Sequence, residues 1–386
     1  MKDRTIATHA GRHPEQHFGV VNTPVFRAST ILNPTVAALK GPKGVRDPRY
    51  GRRGTPTVFT LEDAVSELEG AAGAVIAPSG LNAITVALFA FLGAGDHMLM
   101  VDCVYAPARR IAGTMLKRMG VETTFFDPAI GGDIAGMIRD NTRVIYVEAP
   151  GSQTFDMQDI PAIAAAAHAR GVKVLMDNTW ATPLFFKPFD HGVDVSIHAA
   201  TKYIVGHSDA MLGVVTSTDE CLEPLRDSAG TMGVCAGPDD VYLGTRGIRT
   251  MPVRLRQHQE NATTLAQWLE GRPEVARVLY PALPSDPGHA IWKRDFLGAS
   301  GLFGVVLNPV SDSAVAAMLD GLELYGMGAS WGGYESLILP TQPAANRSAT
   351  TWRAEGPTLR IHAGLEDIDD LIADMEQGFA RLRAAA

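Results

Sequence analysis

Short apolar segments alternate with helix-like segments over the first two thirds of the chain, after an irregular start. The apolar segments are GAVIA (73–77), HMLMVD (97–102), VETTFFD (121–127), TRVIYVEAP (142–150), VKVLMDN (172–178) and VDVSIHA (193–199). Helix-like segments between them include LNAITVALFAFLG and DIPAIAAAAHARG. A further helix-like segment, LEDAVSELEG, precedes the first apolar segment and ends at Gly70, a residue type that commonly stops a helix. Strands without polar alternation, separated by helices, are typical of a parallel sheet covered on both faces. The pattern therefore predicts an α/β domain.

Different patterns flank this region. Residues 1–48, with two prolines in VVNTPVFRASTILNPTV and no helical period, are expected to form an extended arm. After residue 245, a long helix precedes VARVLYP, GLFGVVLNP, a helix over 312–321 and TLRIHAGLE, a mixed order that indicates a smaller α+β domain. The predicted division is an arm (1–48), a large domain (49–245) and a small C-terminal domain (246–386).

Composition and charge narrow the class of protein. The chain has 386 residues and is 46% hydrophobic, so it can bury a large core. Its formal net charge is −8. No basic patch is interleaved with aromatic residues, which argues against a nucleic-acid partner. No apolar run suits a membrane span, and the first twenty residues lack the apolar core of a signal peptide. We therefore expect a cytoplasmic protein with no membrane partner.

Neither the cysteines nor the N-terminal histidines indicate a metal site. Cys103, Cys221 and Cys235 are far apart and form no CxxC pair, so we expect small core residues and no disulfide framework. Three histidines, beginning at His9, follow each other at i, i+4 and i+8, but the glycine and the proline between them break a helix. No metal is predicted.

The stretch SIHAATKYIVGHSDAMLG (196–213) places one lysine, Lys202, just after an apolar strand. A lysine among apolar groups loses hydration, which must be compensated. Lys202 is therefore either an ordinary surface residue or an amine nucleophile that desolvation activates.

Other residues at predicted strand ends bear on this choice, because ligands of an open parallel sheet bind at the carboxyl ends of its strands. Ser79, Gly80 and Leu81 begin a helix, where free amides favour a phosphate, although a plain strand-to-helix turn has the same sequence. Asp177 either caps the next segment or keeps a ring nitrogen protonated. Tyr105 either packs in the core or stacks on a flat cofactor.

Together these features match the needs of pyridoxal 5'-phosphate: a lysine amine, an acid for the ring nitrogen, a stacking ring and a phosphate site. A nicotinamide cofactor is disfavoured because no GxGxxG follows a predicted strand. The sequence therefore predicts pyridoxal 5'-phosphate as the cofactor.

Two motifs, ATKYIVGHSD around Lys202 and YGRRGTPTVFTLEDAVSELEG, resemble the Cys/Met metabolism family of pyridoxal-phosphate enzymes. The resemblance extends from THAGRHPEQHFGVVNTPVFRAST to LRIHAGLEDIDDLIADM. It implies the aspartate-aminotransferase-like fold of fold type I, with a mainly parallel large domain. It also implies a homo-oligomer, a dimer with shared sites that commonly pairs into a tetramer.

The resemblance further implies roles for the cofactor-binding residues. Lys202 would carry the cofactor, Asp177 would pair with its ring nitrogen, and Tyr105 would stack on the ring and serve in catalysis. The phosphate ligands would be the amides of Gly80 and Leu81 and the hydroxyl of Thr201. Tyr50 and Arg52 would reach the phosphate bound to the neighbouring subunit.

Substrate-binding roles are implied in the same way. Arg360 in TLRIHAGLE would bind the α-carboxylate of an amino-acid substrate; from its position alone it could equally be a surface arginine at a strand end. Ser330 and Trp331 in SWGGYESLI would help form this carboxylate site. One position departs from many relatives: Ala199 stands where they have a serine that binds the phosphate, so phosphate contacts are fewer or come from elsewhere.

Two local features favour elimination at the β-carbon. SWGG stands where relatives acting at the γ-carbon usually have SLGG, and DNTWATP resembles the bacterial cystathionine β-lyases. The expected substrate is a small thioether amino acid, with cystathionine cleaved for methionine biosynthesis. The open alternatives are a γ-acting relative, a broad cysteine-conjugate β-lyase, a catalytically silent binding module and a lysine-dependent aldolase without cofactor.

Overall fold

The computed structural model describes residues 1–44 and 46–386 of the chain. A larger sheet contains strands β1 (Gly73–Ala77), β2 (His97–Val101), β3 (Glu122–Phe126), β4 (Thr142–Glu148), β5 (Lys173–Asp177), β6 (Val195–His198) and β7 (Gly213–Ser217). Its order is β1-β7-β6-β5-β4-β2-β3. Strand β7 runs antiparallel to β1 and β6, whereas the other neighbouring pairs are parallel. The predicted α/β class with a mainly parallel sheet is confirmed.

A smaller sheet contains β8 (Val275–Leu279), β9 (Leu302–Leu307), β10 (Leu337–Thr341) and β11 (Thr358–His362). Its order is β10-β11-β9-β8, and all neighbouring pairs are antiparallel. Strands β7 and β10 were not predicted. Strand β7 follows the loop over residues 199–212 that contains Lys202, here called the lysine loop, with no intervening helix. Strand β10, LILPT, contains a proline, which argues against a strand.

The helices are α1 (Asp3–His9), α2 (Val36–Lys40), α3 (Pro56–Glu69), α4 (Gly80–Phe91), α5 (Ala106–Ile111), α6 (Ile160–His168), α7 (Thr182–Phe185), α8 (Asp219–Thr231), α9 (Pro238–Glu270), α10 (His289–Asp295), α11 (Asp312–Asp320) and α12 (Ile368–Ala385). A π-helical turn at Ala112–Leu116 continues α5, and 3-10 turns cover Pro14–Gln16, Gly51–Arg53, Gly131–Met137, Pro188–His191 and Pro343–Asn346. The predicted domain boundary after residue 245 lies inside α9, and the division into domains stays a prediction.

Local sequence explains the two helices that frame the site. Helix α3 begins with Pro56, whose missing N–H costs nothing there, and stops at Gly70, whose φ of 79° is left-handed. Helix α4 begins after Ser79, whose Oγ accepts the N–H of Asn82 at 3.1 Å. This cap fixes the start of α4 at the end of β1.

The predicted extended arm is wrong for its first residues, because Asp3–His9 form helix α1. Ala7 is fully buried, and the Arg249 side chain donates to the main-chain oxygens of Ala7 at 3.0 Å and Ala10 at 2.9 Å. A helix this short is marginal alone, so the contact with α9 stabilises it.

A second correction concerns the cysteines, which were all expected to be core residues. Cys103 and Cys221 are buried as predicted, but Cys235 is exposed.

Among residues 1–44 and 46–386, no helix is both long enough and apolar enough to cross a membrane.

Candidate active site

The carboxyl ends of β2, β4 and β5 meet at one edge of the larger sheet, where Tyr105 follows β2, Glu148 ends β4 and Asp177 ends β5. Strands β4 and β5 are paired so that Glu148 lies opposite Asp177, and the N–H of Tyr105 donates to Glu148 Oε2 at 2.7 Å. Burial raises the pKa of Tyr105, and the nearby charges of Asp177 and Glu148 add to this effect. The Tyr105 side chain is 43% exposed, so it presents a ring surface to a ligand. Parallel strand order thus places Tyr105 beside Asp177.

Lys202 lies at the same edge, in the loop after β6. Its Nζ donates to Ser330 Oγ at 2.7 Å and lies 5.3 Å from the centre of the Trp331 ring. Burial, and next the positive charge of Arg360, lower the pKa of Lys202 to about 8, while Asp177 opposes the shift. The amine is therefore partly uncharged near neutral pH, as a nucleophile or a base requires.

Asp177 is held by a residue that the sequence analysis did not single out, Thr179. Oδ1 of Asp177 accepts the N–H of Thr179 at 3.0 Å and its hydroxyl at 2.5 Å. The same hydroxyl accepts the N–H of Ala199 at 2.9 Å, which ties Asp177 to the lysine loop. Burial raises the pKa of Asp177, and the Thr179 bonds oppose that rise. The one available signal was the D-x-T spacing, in which a hydroxyl reaches back to a carboxylate.

The start of α4 meets the lysine loop at Gly80. A Cβ added to Gly80 would overlap the Cβ of Ala199, so the first amides of the helix lie against this loop. The amides of Gly80 and Leu81 belong to the first helical turn, where the backbone supplies no acceptor. Such amides and the helix dipole favour an anion, and the phosphate role of these two residues stays a prediction.

Thr201, another predicted phosphate ligand, already has main-chain partners. Its hydroxyl donates to the carbonyl of Leu212 at 3.1 Å and accepts the N–H of Leu212 at 2.9 Å. These bonds join the lysine loop to the start of β7. Its phosphate role stays a prediction.

Arg360 comes from the smaller sheet and reaches the same place. It lies on β11, and its guanidinium donates to the main-chain oxygen of Ser330 at 3.0 Å. Ser330 therefore contacts Lys202 through its hydroxyl and Arg360 through its backbone. A cation next to the Lys202 amine is suited to an anionic ligand group.

Tyr50 and Arg52 do not join this group within the chain. They line a separate cavity of about 680 Å³ together with Glu223 and Arg226. Arg52 Nη1 donates to the carbonyl of Gly230 at 2.9 Å. This separation is compatible with a role toward another subunit, which stays a prediction.

Trp180, in the β-lyase-like stretch DNTWATP, is a core residue. Its indole N–H donates to the carbonyl of Leu302 at 2.8 Å, and its ring packs edge-on against Tyr280 and Phe296. It supports the junction of the two sheets.

A buried polar cluster lies beneath the site and was also missed from sequence. Glu69 Oε1 lies 2.8 Å from His198 Nε2, and both side chains are almost fully buried. The Glu69 carboxylate also accepts bonds from Ser196 at 2.8 Å, Asn178 at 3.0 Å and Thr216. The cluster joins the end of α3 to β6, β7 and the residue after Asp177.

The residues at this edge fit pyridoxal 5'-phosphate. Both side-chain hydrogen bonds that Asp177 accepts from described residues end on Oδ1, which leaves Oδ2 to accept a ring N–H. The partly uncharged Lys202 amine suits the aldehyde, and the first amides of α4 suit the phosphate. The donors and acceptors thus match three parts of the cofactor: its ring nitrogen, its aldehyde and its phosphate.

Comparison with known proteins gives the same class. The family model described as "Cys/Met metabolism PLP-dependent enzyme" matches residues 4–380. The chain is 50% identical over 384 residues to a putative cystathionine β-lyase of Rhizobium johnstonii, covering 98% of this chain and 96% of that one. It is 45% identical over 394 residues to cystathionine β-lyase MetC of Escherichia coli, covering 99% and 100%.

A solved structure agrees in fold. Cystathionine γ-synthase from Xanthomonas oryzae pv. oryzae, in complex with aminoacrylate and cysteine, superposes with a TM-score of 0.91 at 31% identity and covers 100% of both chains. The chain therefore belongs to the Cys/Met metabolism family of PLP-dependent enzymes. Its predicted cofactor, pyridoxal 5'-phosphate, is confirmed by this membership.

Proposed function

We propose that this enzyme cleaves L-cystathionine at the β-carbon, giving homocysteine, pyruvate and ammonia. The observation that carries the proposal is the convergence of Lys202 and Arg360 on Ser330, at 2.7 Å and 3.0 Å. An α-carboxylate on Arg360 would bring the Cα proton of an amino acid toward the lysine amine. Full-length identities of 50% and 45% to β-lyases favour this reaction over the γ-acting alternatives.

The residues would hold the cofactor in the way the sequence predicts. Lys202 would carry it, Asp177 would accept its ring N–H, Tyr105 would cover its ring, and the Gly80 and Leu81 amides would bind its phosphate. Bound pyridoxal 5'-phosphate supplies an aldehyde that takes up the substrate amine and a ring that stores the electrons left at Cα.

Proton movement is assigned to the chain's own groups. The Lys202 amine, with a pKa of about 8, accepts the Cα proton in its uncharged form. Burial raises the pKa of Tyr105, so its phenol stays protonated and can donate to the departing sulfur. Lys202, once protonated, is the other candidate donor. Hydrolysis of the remaining three-carbon fragment gives pyruvate and ammonia.

The proposal includes a dimer with shared sites as the smallest active unit, and pairing of dimers into a tetramer. Tyr50 and Arg52 would bind the phosphate held by the partner subunit. Their position in the 680 Å³ cavity, away from the chain's own Lys202, supports this assignment. A cytoplasmic location and a step in methionine biosynthesis are part of the same proposal.

The test is the identity of the keto acid formed from L-cystathionine by the purified protein saturated with pyridoxal 5'-phosphate. Pyruvate with homocysteine is expected, and Lys202→Ala should abolish turnover. Release of 2-oxobutyrate would move the reaction to the γ-carbon. Equal turnover of other cysteine S-conjugates would make the enzyme a broad β-lyase, and cofactor binding without any turnover would indicate a silent module.

A further inference from the structure

His362 lies two residues after Arg360 on β11, so both side chains project from the same face of the strand. Its Nε2 is 3.2 Å from the Gly332 nitrogen and 3.2 Å from the Gly333 oxygen. Burial lowers the pKa of His362 well below its usual range, and the charges of Arg360 and Lys202 act in the same direction. The ring is therefore neutral, and in either tautomer Nε2 makes one of these two hydrogen bonds.

Gly332 also lies close to the main chain of Lys202. A Cβ added to Gly332 would lie 3.0 Å from the carbonyl carbon of Lys202 and 3.1 Å from its Cα. The φ of Gly332 is 84°, a left-handed value that favours glycine. The backbone of the SWGG segment thus contacts both the main chain of Lys202 and the ring of His362.

Aromatic neighbours fix the His362 ring. Its centre lies 5.0 Å from that of His258 and 5.9 Å from that of Tyr203, which in turn lies 5.4 Å from Trp331. The second imidazole is itself anchored, because His258 Nδ1 bonds to the carbonyl of Ala363 at 2.9 Å. A ring held on several sides is a rigid support for the segment that it contacts.

We propose that His362 is a positioning residue that, by holding Gly332 and Gly333, fixes Ser330 and Trp331 against Lys202 and Arg360. The inference deepens the proposed function and rests on it for its kinetic consequence. Without the ring, Ser330 would remain in the chain, but its two contacts would no longer be held in one geometry.

The experiment compares His362→Ala with His362→Gln, whose side-chain amide can replace the bond of the imidazole Nε2. Amide hydrogen exchange over residues 328–335 is followed by mass spectrometry, in protein with and without pyridoxal 5'-phosphate. The kcat and KM for L-cystathionine are measured in parallel. A matched control is His97→Ala. His97 is a buried histidine at the start of β2, away from this segment, and its ring bonds to Thr124 of β3 and Thr142 of β4.

We expect His362→Ala to speed exchange over residues 328–335 about tenfold and to lower kcat/KM about tenfold, mainly through KM, with cofactor affinity retained. His362→Gln should restore both values to within about threefold. His97→Ala should leave the exchange of residues 328–335 and the KM unchanged.

Unchanged exchange in His362→Ala would overturn the inference, and so would a loss of activity that His362→Gln fails to reverse. If His362→Ala does not fold, His362→Phe keeps a ring without the nitrogen and must show the same faster exchange. If the wild-type protein does not cleave cystathionine but the exchange results hold, the proposed function fails and the positioning role stands.

Discussion

Lys202 Nζ lies 2.7 Å from Ser330 Oγ, although 128 positions separate the two residues in the chain. The bond joins the loop after β6 of the larger sheet to the segment before β10 of the smaller one. Because Ser330 also accepts a bond from Arg360, one residue sets the distance between the amine and the cation. The chemistry of the site therefore depends on contacts between the two sheets.

Uptake of the cofactor should follow the ionisation of Lys202. Its pKa is lowered to about 8, first by burial and then by Arg360, and only the uncharged amine attacks an aldehyde. The rate at which cofactor-free protein takes up pyridoxal 5'-phosphate should rise from about pH 7 to about pH 9, with its inflexion near the pKa of the lysine. Stopped-flow absorbance measures this uptake rate at each pH.

Arg360→Gln provides the matched variant for this pH profile. Removing the cation removes one cause of the lowered pKa, so the inflexion should move to higher pH. Lys202→Arg keeps a positive charge without a reactive amine and should bind no cofactor covalently. An inflexion that stays in place in Arg360→Gln would show that the arginine charge does not act on the lysine.

The Thr179 hydroxyl should be needed for both cofactor affinity and turnover. Thr179→Val removes the hydroxyl that bonds to Asp177 and receives the Ala199 N–H. We expect cofactor affinity and kcat each to fall roughly tenfold, the cost of about one well-placed hydrogen bond to a charged group. Thr179→Ser keeps the hydroxyl and should behave like the wild type. Equal losses in both variants would mean that shape, and not the hydroxyl, is what matters.

The sequence located much of this site because strand ends can be read from apolar runs. Lys202, Asp177 and Tyr105 were candidates from their positions at predicted strand ends, and the family resemblance then gave them roles and added Arg360. Thr179 and His362 were missed, since their importance comes from what they touch: a neighbouring carboxylate and a backbone segment about 30 residues away. Periodicity carries no signal for such contacts.

Fold details show the same limit. Strand β7 was missed because GVVTS is short and follows a loop, and it became visible only through its antiparallel partners β1 and β6. Helix α1 was predicted as extended chain because its stabilising contacts come from Arg249, far along the sequence. Tertiary contacts overrode weak local preference in both cases.

Gly80→Ala should weaken cofactor binding through sterics alone. The added methyl group would overlap Ala199, so the start of α4 must move away from the lysine loop. We expect the dissociation constant of pyridoxal 5'-phosphate to rise at least about tenfold, as phosphate contacts lengthen. Gly113→Ala, where an added Cβ meets nothing within 4 Å, is the control and should bind normally. Normal affinity in Gly80→Ala, measured by fluorescence titration, would argue against a phosphate at this helix.

The buried pair of Glu69 and His198 should dominate the acid sensitivity of the fold. Burial raises the pKa of Glu69, but His198 and the surrounding hydrogen bonds outweigh it, so the pKa lies below the usual value. The stabilisation is therefore complete above the unfolded-state pKa of about 4.3 and is lost as the pH falls through the lower folded-state value. Glu69→Gln should reduce the free energy of unfolding by about 3 kcal/mol at pH 7 and by less at pH values near 3.

Urea unfolding at both pH values measures this difference. Glu67→Gln, at an exposed position of the same helix, is the control and should change stability little at either pH. A loss of stability in Glu69→Gln that is independent of pH would contradict a role for its charge.

The most direct test of the account is to find which residue carries the cofactor. The protein saturated with pyridoxal 5'-phosphate is reduced with borohydride, which makes the attachment permanent, then digested and mapped by mass spectrometry. We predict a single pyridoxyl label on the peptide that contains Lys202, and none in Lys202→Ala. A label on another lysine, or no label in a protein that binds the cofactor, would contradict the assignment of Lys202 as the reactive amine.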